Sequence, residues 1–311
     1  MNDSENAEID LKELIYSECK ALEITAKKFA DASITGAYKS LKKGTGIEFE
    51  EARIYTPSDD ARRIDWKVTA RKQKPYIKSF REEQDQSILL VVDGTYSTLL
   101  GVESAKSRKI LEISAFIGSI ASFNHDSIGS LIFGGPAISY NKSKRGFSAV
   151  YKILHDILSL SHSSTQEKNT NTPRSVQTFS ETLLNMSRMV KRKSQIFIIS
   201  DFNFKMDFDS ALKALSIKHD IFCISVRDAL ESELPTSGTF LVKNPENGME
   251  SIIDFSNKKV RDSIVTEINK HQVQLEKTFK RQKVPFLSVS TKSDIRLELF
   301  SFFKEQARAH G

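Results

Sequence analysis

Two short apolar runs, each followed within two residues by an aspartate, constrain the fold of this chain more than any other feature. The first spans residues 88–92 and is followed by Asp93; the second spans residues 196–199 and is followed by Ser200 and Asp201. Continuous aliphatic runs of this length are typical of strands buried on both faces of a parallel sheet. Such sheets place their ligand sites just beyond the carboxyl ends of the strands. We therefore expect both acids at one edge of a single α/β sheet.

Two alternate hydroxyls follow the first acid, in the order Asp93, Thr95 and Ser97. A carboxylate and two hydroxyls are hard oxygen donors, which suit Mg²⁺ or Mn²⁺ with waters retained on the metal. The alternative is structural, because Asp, Ser and Thr also cap helices and close turns. The second strand that ends in an acid favours the cation site over the structural alternative.

The composition is that of an ordinary soluble protein, with 39% apolar and 28% charged residues among 311. No apolar run reaches the ~18 residues of a membrane span, and the acidic N-terminus lacks a signal-peptide pattern. Cys19 and Cys223 lie far apart without metal-ligand spacing, so a cytoplasmic location is expected. A net charge of +6 permits an acidic partner or peripheral membrane contact but requires neither.

Helical and strand patterns alternate along the chain, which predicts a doubly wound, mostly parallel sheet. Residues 8–43 are predicted to form a helical arm that packs on the main domain, and the predicted division is an extension at 1–85 followed by the main domain at 86–311. A hairpin insertion is expected at about 235–255, and strands near 49–55 and 75–80 are expected to join it as a small side sheet. Helices are predicted at 104–123, 147–160, 176–191, 207–217, 258–281 and 294–309, with a polar loop at 161–174.

The segment between the two predicted side strands carries a turn and N-cap signal at 56–60, which predicts a helix over 61–71. Within that helix Asp65 and Arg71 could pair, and Trp66 could anchor it by burying its ring. Basic and aromatic residues alternate over 62–81, which leaves a nucleic-acid surface as an alternative. The acids that follow at 82–85 favour a solvated face instead.

The two strand ends resemble the metal-ion-dependent adhesion site of von Willebrand factor A domains. In that family an Asp-x-Ser-x-Ser loop, a threonine of a second loop and an aspartate of a third surround one divalent cation, whose open position takes a partner's carboxylate. The resemblance implies Asp93, Thr95 and Ser97 in the first loop and Asp201 in the third, with Mg²⁺ or Mn²⁺ as the cofactor. Thr178 is the expected second-loop residue. Two further threonines are kept as alternatives, Thr170 and Thr172.

A second pattern resembles the bacterial domain of unknown function 58, a branch of the von Willebrand A group. It reads Tyr55-x-Pro57-x-Asp59-Asp60-x-Arg62-Arg63-Ile64-Asp65-Trp66 with Ala70-Arg71, and continues at 227–238 and 244–248. Ser58 replaces the usual glycine, and the resemblance covers roughly residues 36 to 305. It implies a von Willebrand A (Rossmann-like) fold with an N-terminal helix and a small β side sheet. A partner-binding or structural signature is implied at Asp59, Asp60, Arg63, Asp65, Trp66 and Arg71.

The same resemblance implies partners, because members of this branch are typically encoded beside MoxR-type AAA+ ATPases and other von Willebrand A proteins. The expected role is a non-enzymatic adaptor in protein assembly or remodelling. The enzymatic alternative is a haloacid-dehalogenase-like phosphatase, a metal-dependent hydrolase, which needs an acid two residues after its nucleophilic Asp. That position is Thr95 here, and neither a Gly-x-Ser-x-Gly nor a His-Glu-x-x-His motif occurs.

Overall fold

A computed structural model of the 311-residue chain describes Lys20, Tyr38 and residues 49–56, 61, 64–80, 87–95, 105–134, 138–166, 178–204, 206–228, 234–243 and 250–310. Lys20 and Tyr38 are helical, and the rest of the predicted arm at 8–43 lies outside the described residues. The same holds for six residues singled out above: Ser97, Asp59, Asp60, Arg63, Thr170 and Thr172.

Ten strands are described: β1 (Phe49–Ile54), β2 (Tyr76–Phe80), β3 (Ser87–Asp93), β4 (Ser127–Phe133), β5 (Ser139–Arg145), β6 (Ser194–Ser200), β7 (Asp220–Arg227), β8 (Thr239–Lys243), β9 (Glu250–Asp254) and β10 (Phe286–Ser290). Six of them form the central sheet in the order β10-β7-β6-β3-β4-β5. Five run parallel, and β5 is antiparallel at one edge. The predicted doubly wound, mostly parallel sheet is therefore confirmed.

Seven helices are described: α1 (Trp66–Lys72), α2 (Ala105–Phe123), α3 (Phe147–Gln166), α4 (Phe179–Met189), α5 (Asp209–Ser216), α6 (Lys258–Arg281) and α7 (Ile295–His310). One face of the sheet packs against α2, α3 and α7, and the other against α4, α5 and α6. All of β6 is buried between these layers, and so is β3 except for the half-buried Ser87. None of the helices in the described residues is long and apolar enough to cross a membrane.

Tyr38 ties the N-terminal segment to the first of these clusters. Its ring is fully buried and makes an edge-to-face contact with Phe303 of α7, with 6.1 Å between centroids. Its hydroxyl donates a hydrogen bond of 3.0 Å to Oδ2 of Asp126, which precedes β4. Burial, and then the neighbouring Asp126 carboxylate, raise the pKa of the Tyr38 hydroxyl. This residue at least packs on the main domain, as expected of the arm.

The side strands do not join into one sheet. β1 pairs with β2 and β8 pairs with β9, as two separate antiparallel pairs within the described part of the chain. The expectation that both pairs share a side sheet was wrong. The predicted loop at 161–174 was also partly wrong, because α3 continues to Gln166.

The helix predicted over 61–71 begins later than expected. Ile64 pairs with Ile77 of β2, and the Asp65 N–H donates to the Tyr76 carbonyl at 2.8 Å, so the chain is still extended there. Asp65 is the N-cap of α1, accepting hydrogen bonds from the backbone of residues 67 and 68 at 3.0 and 3.3 Å. The predicted burial of Trp66 was wrong, since 71% of the residue is exposed.

Candidate functional site

The two acid-terminated strands are direct neighbours in the sheet. Val92 of β3 pairs with Ile199 of β6, so Asp93 and Ser200 follow side by side. The Ser200 hydroxyl donates a hydrogen bond of 2.5 Å to Oδ2 of Asp93, and accepts one of 2.8 Å from the Phe202 N–H. The ends of β3 and β6 therefore bring Asp93 and Ser200 into direct contact.

Each of the two aspartates closes a turn of the same kind. Oδ1 of Asp93 accepts a hydrogen bond of 2.9 Å from the Thr95 N–H, and Oδ1 of Asp201 accepts one of 3.0 Å from the Asn203 N–H. An aspartate that bonds the backbone two residues on is an Asx turn. The turns fix the direction of both carboxylates, so the structural and the metal-binding interpretations of these acids are compatible.

Burial and mutual repulsion dominate the electrostatics of the site. Asp93 is fully buried, and the pKa of its carboxyl is raised from 3.8 to about 6. Burial is the largest cause and the charge of Asp201 acts in the same direction, whereas the hydrogen bonds from Ser200 and Thr95 lower the pKa. A carboxylate held in such a place is stabilised by any cation that reaches it. The site thus attracts positive charge.

One cation already contacts this acidic pair. Lys106, in the first turn of α2, places its Nζ 3.3 Å from Oδ2 of Asp201. Both side chains are largely shielded, with exposed fractions of 16% for Lys106 and 4% for Asp201. The ion pair joins the helix that follows the first loop to the acid of the third loop.

The end of β4 holds the loop that carries Gly94 and Thr95 in place. The Gly94 N–H donates to the Phe133 carbonyl at 2.6 Å. Gly134 then turns away with φ of +81°, and a Cβ on it would lie 2.4 Å from Cγ2 of Thr95. Only glycine fits this left-handed conformation and this close contact. Gly134 therefore holds the position of Thr95.

The third loop contains a strained residue. Phe202 has φ of +53°, which is unusual for a bulky side chain and costs about 1–3 kcal/mol. Its buried ring contacts four other phenylalanine rings, which together compensate for the strain: Phe179, Phe204, Phe279 and Phe286. From α6, Nε2 of His271 lies 3.1 Å from the Phe202 carbonyl oxygen. Packing of the Phe202 ring therefore holds the backbone next to Asp201 in place.

Thr178 begins α4 at the same edge of the sheet, because the adjacent Phe179 packs on Phe133 and Phe202. Its hydroxyl accepts a hydrogen bond of 3.2 Å from the Glu181 N–H, and the Glu181 carboxylate accepts one of 2.9 Å from the Thr178 N–H. This is a capping box. The hydroxyl is exposed and keeps a lone pair, so the cap does not preclude its role as a ligand.

The donor set fits a hard divalent cation. It consists of two carboxylates with neighbouring hydroxyls, and neither this site nor any other in the described part of the chain gathers three or more His, Cys, Asp or Glu side chains. Oxygen donors with few acids suit Mg²⁺ or Mn²⁺ rather than zinc. The residues that would hold it are Asp93, Thr95 and Asp201, with Thr178 as the second-loop candidate.

The structure brings two further residues to the site, Ser200 and Lys106, which the sequence does not single out. Ser200 was recognised only as part of the strand ending, although the pairing of β3 with β6 places it on Asp93. Lys106 was treated as an ordinary residue of an amphipathic helix, like Arg108 or Lys109. Nothing in its local sequence distinguishes it, because its partner Asp201 lies 95 residues away.

Three of the six signature residues, Asp65, Trp66 and Arg71, are described, and they lie at the start of α1 or within it. Asp65 caps the helix, while Trp66 and Arg71 are exposed. The described contacts thus give Asp65 a structural role and leave the Trp66 ring at the surface.

Comparison with known proteins finds relatives that are themselves uncharacterised. The uncharacterized protein Rv1480 of Mycobacterium tuberculosis is 26% identical over 292 residues, covering 93% of this chain and 89% of that protein. An uncharacterized protein of Mycobacterium avium is 26% identical over 125 residues, covering 40% and 72% respectively.

Several solved structures are similar at low identity. The protein BatB of Bacteroides thetaiotaomicron gives a TM-score of 0.41 at 12% identity, covering 72% of this chain and 99% of that one. The von Willebrand A domain of SpRpn10 gives a TM-score of 0.34 at 9% identity, covering 69% and 93%. A family described as "Protein of unknown function DUF58" matches residues 51–274. The chain is a member of the DUF58 family.

Proposed function

We propose that this protein is a non-enzymatic interaction module that binds Mg²⁺ or Mn²⁺ at the edge formed by β3 and β6. The observation that supports it is the meeting of two shielded carboxylates, Asp93 and Asp201, at the ends of adjacent strands. The Asx turns orient both acids, and Gly134 positions Thr95 beside them. When bound, the cation would supply an open coordination position for a carboxylate oxygen of a partner protein.

The partner that we propose is a MoxR-type AAA+ ATPase, with other von Willebrand A proteins as further members of the assembly. This proposal follows from the resemblance to the domain of unknown function 58 branch, because its members are typically encoded beside such ATPases. The role of this chain's own residues is to hold and orient the site, while the aspartate or glutamate that completes it comes from the partner. The protein would then act as an adaptor that brings its clients to the ATPase.

The exposed ring of Trp66 supports a second contact for the same partner. Tryptophan is enriched at the centres of protein interfaces, and α1 also carries two exposed cations, Lys67 and Arg71. We expect Trp66→Ala to weaken capture of the ATPase without altering metal binding. Capture of nucleic acid by the wild type, lost in this variant, would favour the alternative of a nucleic-acid surface at 62–81.

The hydrolase alternative lacks the residue that its chemistry needs. The position two residues after Asp93 is Thr95, and its N–H holds the carboxylate of Asp93 in a turn. The threonine hydroxyl at this position cannot act as the general acid or base of phosphoryl transfer. The arrangement supports binding rather than catalysis.

Calorimetric titration with Mg²⁺ and Mn²⁺ tests the proposal most directly. Wild type should bind one cation, and Asp93→Ala should abolish binding while Asp294→Ala leaves it intact. Asp294 is a suitable control, because it follows β10 at the same edge and its carboxylate pairs with Arg296 instead. Pull-down of a purified MoxR-type ATPase should then require metal. Equal capture in EDTA would refute the metal bridge.

A further inference from the structure

The ammonium of Lys106 contacts the same carboxylate, that of Asp201, which a bound divalent cation would neutralise. Its Nζ lies 3.3 Å from Oδ2, and the other oxygen of Asp201, Oδ1, accepts the hydrogen bond from Asn203. The two carboxylates of the site repel each other, and Asp201 contributes to the raised pKa of Asp93. The positive charge of Lys106 beside Asp201 reduces the repulsion between the carboxylates of Asp93 and Asp201, as a bound metal ion would.

We propose that Lys106 is a built-in cation that competes with the divalent metal for Asp201 and so sets the metal concentration at which the site fills. This inference rests on the proposed function and deepens it, because it names the regulation of the same site. Without metal, Lys106 neutralises Asp201. Metal binding requires the ammonium to move away.

The competition follows from distance and charge. A Mg²⁺ ion coordinated by Asp201 would lie about 2.0–2.1 Å from its oxygen, which puts it within a few ångströms of an ammonium still paired there. Like charges this close, in a site shielded from water, repel strongly. Lysine can leave, since its ammonium is a point charge on a flexible four-carbon stem and needs no fixed fork geometry.

Lys106→Met tests the inference, because methionine keeps an unbranched stem and removes the charge. The control is Arg108→Met on the same helix, which removes the same charge from an exposed side chain paired with Glu112. Titration with Mn²⁺ at constant ionic strength should show at least about tenfold tighter binding in Lys106→Met, a factor at the low end of couplings between close charge pairs. Arg108→Met should bind as the wild type does, and Lys106→Arg, which keeps the positive charge, should bind no more tightly than the wild type.

Thermal melting supplies a readout that a merely structural ion pair would not give. In EDTA, Lys106→Met should melt below the wild type, because two shielded carboxylates lose a neighbouring positive charge. Mg²⁺ should restore this loss, and should raise the melting temperature of Lys106→Met more than that of the wild type. A melting temperature that stays low in Mg²⁺, with Mn²⁺ affinity unchanged or weaker, would overturn the inference and leave Lys106 a structural residue.

The outcomes separate this inference from the proposed function. If the wild type binds Mn²⁺ and loses it in Asp93→Ala, but Lys106→Met binds no more tightly, only the competition is refuted. If neither the wild type nor Lys106→Met binds Mn²⁺, the metal site itself is refuted, and the inference with it.

Discussion

Replacement of Asp93 by asparagine should change how the stability of the metal-free protein depends on pH. Asparagine has nearly the same shape and cannot ionise, so the substitution removes one titrating group from the centre of the fold. In the folded protein the pKa of Asp93 is about 6, against 3.8 for the unperturbed carboxyl. Between these values the folded state binds more protons than the unfolded state. The contribution of Asp93 to stability therefore falls as the pH rises through this window.

The size of the effect follows from the difference between the two pKa values. At about 1.36 kcal/mol per unit, the wild type should lose about 3 kcal/mol from this group between pH 4 and neutral pH. The variant should not show this loss. Asparagine also weakens the hydrogen bond with Ser200, which costs about 1 kcal/mol at every pH and leaves the pH dependence of the difference unchanged.

Urea denaturation in EDTA at several pH values between 4 and 7.5 provides the measurement. The free energy of unfolding of Asp93→Asn, relative to the wild type, should rise steadily between pH 4 and about 6.5 and then level off. Asp294→Asn serves as the control, because it removes a carboxyl whose pKa is lowered by its pairing with Arg296. A difference that is constant with pH, or that shrinks as the pH rises, would refute the reasoning about burial.

Three further substitutions test other parts of the structure. Thr178→Ala should cost about 1 kcal/mol of stability through the lost cap and should also weaken Mg²⁺ binding severalfold. Thr178→Ser should restore both the stability and the binding. A loss of stability with unchanged Mg²⁺ affinity would limit the role of Thr178 to capping the helix. Gly134→Ala should cost at least about 1–2 kcal/mol, because φ is left-handed and the new Cβ meets Thr95, and calorimetry should show weakened metal binding. Tyr38→Phe should cost about 1–3 kcal/mol in urea melts, because the buried Asp126 loses a donor; an unchanged midpoint would contradict the anchoring of the arm.

The central sheet and one half of the site could be predicted because their signals are local. The aliphatic runs before Asp93 and Asp201 mark buried parallel strands, and parallel strands bring their ends to one edge. The start of α1 could not be predicted in this way. Asp65 is only one of several plausible caps after residue 56, and the choice depends on the pairing of Ile64 with Ile77, a contact between segments.

The rest of the site depends on contacts that no local pattern encodes. Lys106 meets Asp201 across 95 residues, and its neighbours Arg108 and Lys109 have the same helical and basic character. Likewise, the exposed ring of Trp66 follows from how α1 sits on β2, where Oγ1 of Thr69 accepts a hydrogen bond of 3.0 Å from the Tyr76 N–H. Thr69 is thus the residue of α1 that contacts β2, and Trp66, at the first position of the helix, remains exposed to solvent.

The antiparallel strand β5 has a consequence for the behaviour of the protein in concentrated solution. It forms one edge of the central sheet and carries three cations, Lys142, Lys144 and Arg145. If two molecules joined their sheets edge to edge through β5, these like charges would be brought together. The repulsion weakens as salt shortens its range, to about 10 Å at 0.1 M. The sheet edge should therefore resist self-association best at low ionic strength, and aggregation through it should increase as salt is added.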